Sequence, residues 1–351
     1  MTRVRKTLIL IAALLPLALP AAAAPPAAPA ASPAYAVAAR YAVGGDGGWD
    51  YLTVDAAARR IYVSRGTHVA VVDADSGKVV GDIPGTEGVH GIALAPDLKK
   101  GFTSNGRAGT VTVFELPSLA VTGTWKTTGD NPDAILYEPV SKRLLTFNGR
   151  GKNATVFDAA TGTVTGTIPI GGKPEFAASD PAGRVYVNVE DKGEILAIDP
   201  ATASVKARWS LAPCQEPTGL AIDAKAGILF AGCGNKLAAV VRTSDGKLLG
   251  TPAIGEGCDG IAFDPGSGLA FAANGEGTVT VLKETSPGTW APVQTVPTQR
   301  SARTIAADTA KGLLYLPAAK FGAAPAPTAE TPRPRPPVVP GSFEIVVVGG
   351  R

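Results

Sequence analysis

The chain has 351 residues, 45% of them hydrophobic, with 42 glycines, 30 prolines and 3 cysteines. That length allows a sizeable core, and 33 basic against 30 acidic residues give no broad electrostatic grip on nucleic acid or anionic lipid. Two histidines exclude a copper cluster built from many imidazoles.

Taken from the start, residues 1–23 read as a cleavable export signal. Arg3, Arg5 and Lys6 make a basic start, Leu8 to Leu19 an apolar run too short to span a bilayer comfortably, and Ala21 to Ala24 a small-residue cleavage region. Pro25 would hinder a cut after Ala24, so cleavage is expected after Ala23, with a retained membrane anchor as the alternative. No cysteine follows the apolar run, which argues against a lipid anchor. Loss of three basic residues leaves the mature chain formally neutral. A periplasmic or secreted monomer, with no transmembrane segment once mature, is the expectation. Residues 24–34 are rich in Ala and Pro and read as a disordered tether.

Tyr35 to Val43 has strand character, and beyond it a short pattern returns seven times. Leu52-Thr53-Val54-Asp55 is followed by Ile61-Tyr62-Val63, Ile92-Ala93-Leu94-Ala95 by Gly101-Phe102-Thr103, and so on to Ile305-Ala306-Ala307-Asp308 with Leu313-Leu314-Tyr315. The anchors fall at Asp55, Ala95, Glu138, Asp180, Asp223, Asp264 and Asp308. A period of about 40–45 residues made of short strands predicts a β-propeller with one four-stranded blade per repeat. The fold expected is all-β, a single seven-bladed domain over 35–351. In the second repeat the strands are expected near 91–95, 101–104, 110–115 and 120–126. Asp73-Ala74-Asp75-Ser76-Gly77, Asp158-Ala159-Ala160-Thr161-Gly162 and Ser244-Asp245-Gly246 carry hairpin-turn chemistry. The last repeat holds a Pro-rich insert at 323–340 between its second and third strands. It then ends at Phe343 to Val348 with no fourth strand left, so 35–43 is expected to complete that blade and close the ring. By topology the insert, with Arg333 and Arg335, starts on the channel-mouth face, where it is either a lid or a loose excursion.

Arg60-Ile61-Tyr62-Val63-Ser64 and Gly183-Arg184-Val185-Tyr186-Val187-Asn188, with the Val-x-Val-x-Asp strands after them, resemble the YVTN-repeat, YncE-like β-propellers of bacteria. The resemblance covers about 40–350. It implies a seven-bladed periplasmic or secreted propeller and no single reaction, since similar propellers include lactonase-like enzymes, surface proteins and binding modules.

In a propeller the loop entering each inner strand and the loop joining strands two and three open on one face. The inner positions are Trp49-Asp50, Val89-His90, Pro132-Asp133, Pro174-Glu175, Glu216-Pro217-Thr218, Cys258-Asp259 and Ala302-Arg303-Thr304. Carboxylates converging on one axis repel unless a proton, a cation or a basic ligand group intervenes. Trp49, Asp50, His90, Asp133, Glu175, Glu216, Asp259 and Arg303 are therefore candidate ligand-binding residues, the other reading being a solvated mouth with turn-forming acids. Asp50, Asp133, Glu175 and Asp259 would suit an oxygen-seeking divalent ion such as Ca²⁺ or Mg²⁺. The outer loops add Arg65 and, further round, Arg107, Arg150, Lys152 and Lys236, these four either solvated turn charges or a basic collar above an acidic throat. His68 is expected to be a packed or surface residue.

No nucleophile elbow, P-loop or dinucleotide fingerprint occurs in a credible context. Trp49, Trp125, Trp209 and Trp290 do not recur at one blade position, unlike the tryptophan docking motif of quinoprotein propellers. Cys214 and Cys233 flank the hairpin of the fifth repeat and are expected to form a disulfide. Cys258 is then left as a buried small residue or a reactive thiol. The leading function is binding of a small polar ligand or a protein partner through the mouth. The rival is a metal-assisted lactonase-like hydrolase with His90, Asp133 and Glu175 as catalytic candidates. Nucleic acid is not the expected partner.

Overall fold

Each repeat folds around a second and a third strand whose β-branched, aromatic and small apolar side chains are buried, as in Arg60–Ser64 and Val69–Asp73. A single such sheet has two apolar faces and no core, so it is stable only when sandwiched between neighbours. The computed structural model describes residues 2, 34–328, 331, 334 and 336–350. The leader over 1–23 except residue 2, the tether except residue 34, and Arg333 and Arg335 of the insert lie outside the described residues.

Among those residues there are seven four-stranded antiparallel sheets, the blades of a β-propeller. The inner strands are Leu52–Asp55, Val89–Ala95, Pro132–Glu138, Pro174–Ser179, Pro217–Asp223, Cys258–Asp264 and Ala306–Asp308. Six blades run from inner to outer strand in chain order. The second, at Val89–Ala95, Lys100–Asn105, Thr110–Glu115 and Val121–Lys126, follows the spacing expected from sequence.

The seventh blade is built from both ends of the chain. Tyr35–Ala42 pairs with Glu344–Gly350, which pairs with Leu313–Ala318. The closing strand thus covers an edge that would otherwise expose unpaired amides and carbonyls. Blades seven and one then share an apolar cluster of Leu52, Ile61, Val63 and Val72 with Tyr315, Phe343, Ile345 and Val347. Each fully buried large side chain there contributes on the order of 1.5–3 kcal/mol.

Arg65, an outer-loop position in the repeat, belongs to this closure. It is buried, its guanidinium lies 3.7 Å from the Phe343 ring centroid, and its Nη2 donates to the carbonyls of Gly44, Gly45 and Asp46. It pins the segment that leads from the closing strand into blade one. Burial pulls its pKa down to about 10, with Asp46 opposing.

The insert joins the second and third strands of the last blade, and its base is held by the Phe321–Val338 bridge. Phe321 and Phe343 flank Trp49, with ring centroids 6.1 and 5.4 Å away. Trp49 is therefore fixed by the root of the insert at the mouth.

Candidate functional site

A backbone irregularity aims the inner ring. Val89 pairs with Asn105 and Ile92 with Thr103, so His90 and Gly91 together face Ser104 alone. The same shift occurs after Pro132, Pro174, Pro217 and Cys258. A β-bulge adds one residue and re-aims its side chain. His90, Asp133, Glu175, Thr218 and Asp259 occupy this one structural position in five consecutive blades.

That register corrects the fifth repeat. Glu216 is exposed, sits at φ 50° two residues ahead of the ring position and packs against Gly234. Thr218 takes the ring position instead and donates to the Cys258 carbonyl at 2.8 Å. The left-handed turn at Glu216, invisible in the residue pattern, moves its carboxylate out of the series. Similar polar stitches join other blades: Ser104 donates to the Asp133 carbonyl and Thr304 to the Asp50 carbonyl.

The ring side chains form two ion-paired groups. In the first, the His90 Nδ1–H donates to Asp50 Oδ2 at 2.6 Å, and Asp133 Oδ1 lies 3.5 Å from the same nitrogen. Arg303 continues it, with Nη2 3.6 Å from Asp50 Oδ1 and Nε 2.8 Å from Asp259 Oδ2. In the second, Lys173 Nζ sits 2.7 Å from Glu175 Oε1 and also pairs with Glu190. The buried Tyr51 hydroxyl donates to Glu175 Oε2 at 3.4 Å. Glu175 is thus paired with Lys173 and Asp259 with Arg303, each cation shared with a second acid. Among the described residues the group close enough to share an ion is Asp50, His90 and Asp133, which takes in two of the four carboxylates named as an oxygen-only metal set and leaves out Glu175 and Asp259.

Acids outnumber cations here, and burial makes that imbalance felt. Burial raises the pKa of Asp133, His90 lowers it and Asp50 adds to the rise, leaving it well above the ordinary carboxylate range. Burial and then the Asp133 charge push Glu175 up, against Lys173. Burial lifts Asp259 to about 6 despite Arg303. For His90, burial disfavours the imidazolium, but the Asp50 hydrogen bond and the charges of Asp133, Asp50 and Glu175 outweigh it and bring the pKa to about 8. At neutral pH the ring therefore carries a charged imidazole between two carboxyl groups.

Above this floor opens a cleft of about 570 Å³, lined by Trp49, Asp50, Val89, His90, Asn131, Arg107, Arg150, Arg303 and loop glycines. Its size falls in the range of small-molecule sites. Gly106 matters there by close approach: a Cβ would stand 2.6 Å from His90 Nε2, so only glycine admits the imidazole. A second cleft of about 450 Å³ shares Trp49 and Arg303 and is bounded by Arg300 and Phe321.

The outer cations are less available than a collar requires. Arg107 lies 3.8 Å from Glu87, Lys152 3.4 Å from Asp191 and Lys236 2.9 Å from Glu256. Arg150 is exposed on the cleft wall, with no ion pair among the described residues. His68 sits at the surface, 3.7 Å from Asp82. Tyr51, Lys173 and Glu190 were not singled out from the sequence. Tyr51 follows Asp50 directly and Lys173 stands two residues before Glu175, so adjacency to ring positions was the available signal. Cys214 and Cys233 are disulfide-bonded with Cα atoms 5.8 Å apart. Burial pushes the Cys258 thiol to about 12, which leaves it no nucleophile at neutral pH.

No protein-family model and no curated protein matches this chain. Solved structures do. A chain of the mitotic checkpoint complex aligns at TM-score 0.70 and 14% identity over 88% of this chain and 96% of that one. U3-55K aligns at TM-score 0.68 and 13% identity over 87% and 97%. Kuenenia stuttgartiensis hydrazine synthase aligns at TM-score 0.66 and 17% identity over 78% and 94%. At such identities the likeness is one of fold alone, a seven-bladed β-propeller. Among the described residues no helix is long and apolar enough to cross a membrane.

Proposed function

We propose that this is an exported binding module whose channel mouth takes a small polar ligand bearing both an anionic and a hydrogen-bonding or cationic group, or a protein partner presenting the same groups. The observation that carries the reading is the layering of one cleft. Arg107, Arg150 and Arg303 reach its wall, while Asp50 and His90 form its floor. Guanidinium groups suit a carboxylate or phosphate, and the acid–imidazole floor suits a donor. Export is supported by the leader pattern of 1–23 and by a disulfide, which persists in oxidising compartments.

The test is thermal stabilisation, in chelator-treated protein, by a panel of amino acids, sugar acids and phosphorylated sugars. Binders are expected to raise the melting temperature of the wild type, and Arg150→Ala and Asp50→Asn are expected to lose most of that shift. Shifts as large as the wild type's in both variants, or no binder in any class, would reject the reading.

The second reading is a metal-assisted lactonase-like hydrolase. It is favoured by the closeness of His90 to two carboxylates at the cleft floor, a constellation suited to activating water. Turnover of simple lactones, lost on His90→Ala, would move the conclusion there.

A further inference from the structure

We infer that Asp50, His90 and Asp133 form a site for one divalent transition cation at the floor of the mouth cleft. Three blades in succession each contribute one ligand. The donor atoms lie within 4.8 Å of one another, with His90 Nδ1 2.6 Å from Asp50 Oδ2 and 3.5 Å from Asp133 Oδ1. Ligands bonded at about 2.0–2.2 Å to one tetrahedral ion stand roughly 3–3.5 Å apart, so small side-chain movements suffice.

A second observation points the same way. Asp133 Oδ1 is buried and has no hydrogen-bond partner, although its residue is only 9% exposed. A buried carboxylate oxygen left without a donor is costly, and such an orphan in a native fold calls for an occupant. This oxygen faces the one histidine of the ring. The competing carboxylates are already engaged, Glu175 by Lys173 and Asp259 by Arg303. Arg303 also approaches Asp50 through Oδ1, leaving Oδ2 turned to His90.

The donor set decides the class of ion. Ca²⁺ prefers six to eight oxygens and Mg²⁺ an octahedron of oxygen and water, whereas one imidazole with two carboxylates suits Zn²⁺ or Mn²⁺. Asp50 and His90 line the cleft, so the remaining coordination positions face the space where a ligand would sit. The inference shares the mouth face with the function proposed above and does not depend on what the organic ligand is.

The experiment uses the mature chain without a polyhistidine tag, stripped with chelator, and titrated by calorimetry with ZnCl₂, MnCl₂ and CaCl₂ alone. One equivalent of Zn²⁺ or Mn²⁺ is expected to bind at least tenfold more tightly than Ca²⁺. Asp133→Asn and His90→Ala are each expected to weaken that binding at least tenfold, with circular dichroism showing the fold intact. His68→Ala, which removes the other histidine, is expected to bind as wild type. Co²⁺ loading read by visible absorption gives an independent signature of imidazole ligation, lost on His90→Ala. No stoichiometric binding, Ca²⁺ as the tightest ion, or loss in His68→Ala with retention in His90→Ala overturns the site. Because the metal titration contains no organic ligand and the ligand screen contains chelator, either proposal can fail while the other stands.

Discussion

Both ends of the blades carry acids at repeated positions, but they hold them in opposite ways. At the hairpin end the carboxylates are consumed by local donors. Asp158 Oδ1 accepts from the backbone of Ala160 and Thr161, Asp264 from Gly266 and Ser267, and Glu138 from Val140 and Ser141. Backbone donation at Thr161 depresses Asp158, and the Arg242 guanidinium brings Asp245 to about 2. At the mouth Asp133, Glu175 and Asp259 are buried among other acids and are pushed up. The same residue type is structural where backbone amides fill its lone pairs and available for chemistry where they do not.

The contrast breaks most visibly at Asp308. It is fully buried, accepts from the backbone of Ala310 and Lys311, and pairs with Arg59. Asp308→Ala leaves those donors unmet and is expected to cost about 2–3 kcal/mol in urea denaturation. A loss below about 1 kcal/mol would mean that the hairpin acids are not the fold's fasteners.

Asp133→Asn is expected to do the reverse. It removes a charge that burial disfavours, so at pH 8 stability should hold or rise by about 1–2 kcal/mol while binding at the mouth is lost. A destabilisation matching that of Asp308→Ala would erase the distinction between the two ends.

The pH response sharpens it further. His90 at about 8 and Asp259 at about 6 both stand above their unfolded values, near 6.5 and 3.8. Raised folded pKa values mean that the folded state binds protons more tightly. Their contribution is fully present below the unfolded pKa and is lost as pH rises through the folded one, for Asp259 between about 4 and 6 and for His90 between about 6.5 and 8. Asp245 runs the other way: its contribution is present above about 3.8 and is lost as pH falls through 2. In chelator-treated protein, denaturation midpoints should therefore decline from pH 4 to 8. Asp259→Asn should flatten the segment from pH 4 to 6. An unchanged slope in that variant would contradict the raised carboxyl.

The smallest effect is expected at Asp245→Asn, an exposed turn charge that pairs with Arg242 three residues earlier and accepts from the Lys247 backbone. It should lower the melting temperature by less than any other variant here moves it and leave any mouth binding within error. A loss of binding there would place the functional face at the wrong end.

Much of the architecture was legible because it is local and repeated. Alternating strands, Asp-x-x-x-Gly hairpins and a missing last strand are read within one period, and the closing strand follows from counting. The approximate ring of Asp50, His90, Asp133, Glu175, Asp259 and Arg303 followed from the same period, since equivalent offsets in a repeat reach equivalent places. What escaped was anything set by a backbone detail or by a neighbour distant in sequence. Glu216 is lost from the ring through one left-handed turn, Arg65 disappears into the ring closure, and Tyr51 reaches Glu175 only because blades one and four meet near the axis.

The sequence by itself determined seven blades, their antiparallel hairpins and the acid-bearing offset, because hydrophobic alternation and turn chemistry are properties of short segments. Only the tertiary structure decided which acids share a cation, which holds an unpaired oxygen and which face a cleft. Pairings such as His90 with Asp50, 40 positions apart, and Arg303 with Asp50, 253 apart, exist only once ring closure and the β-bulges bring the blade ends to one axis.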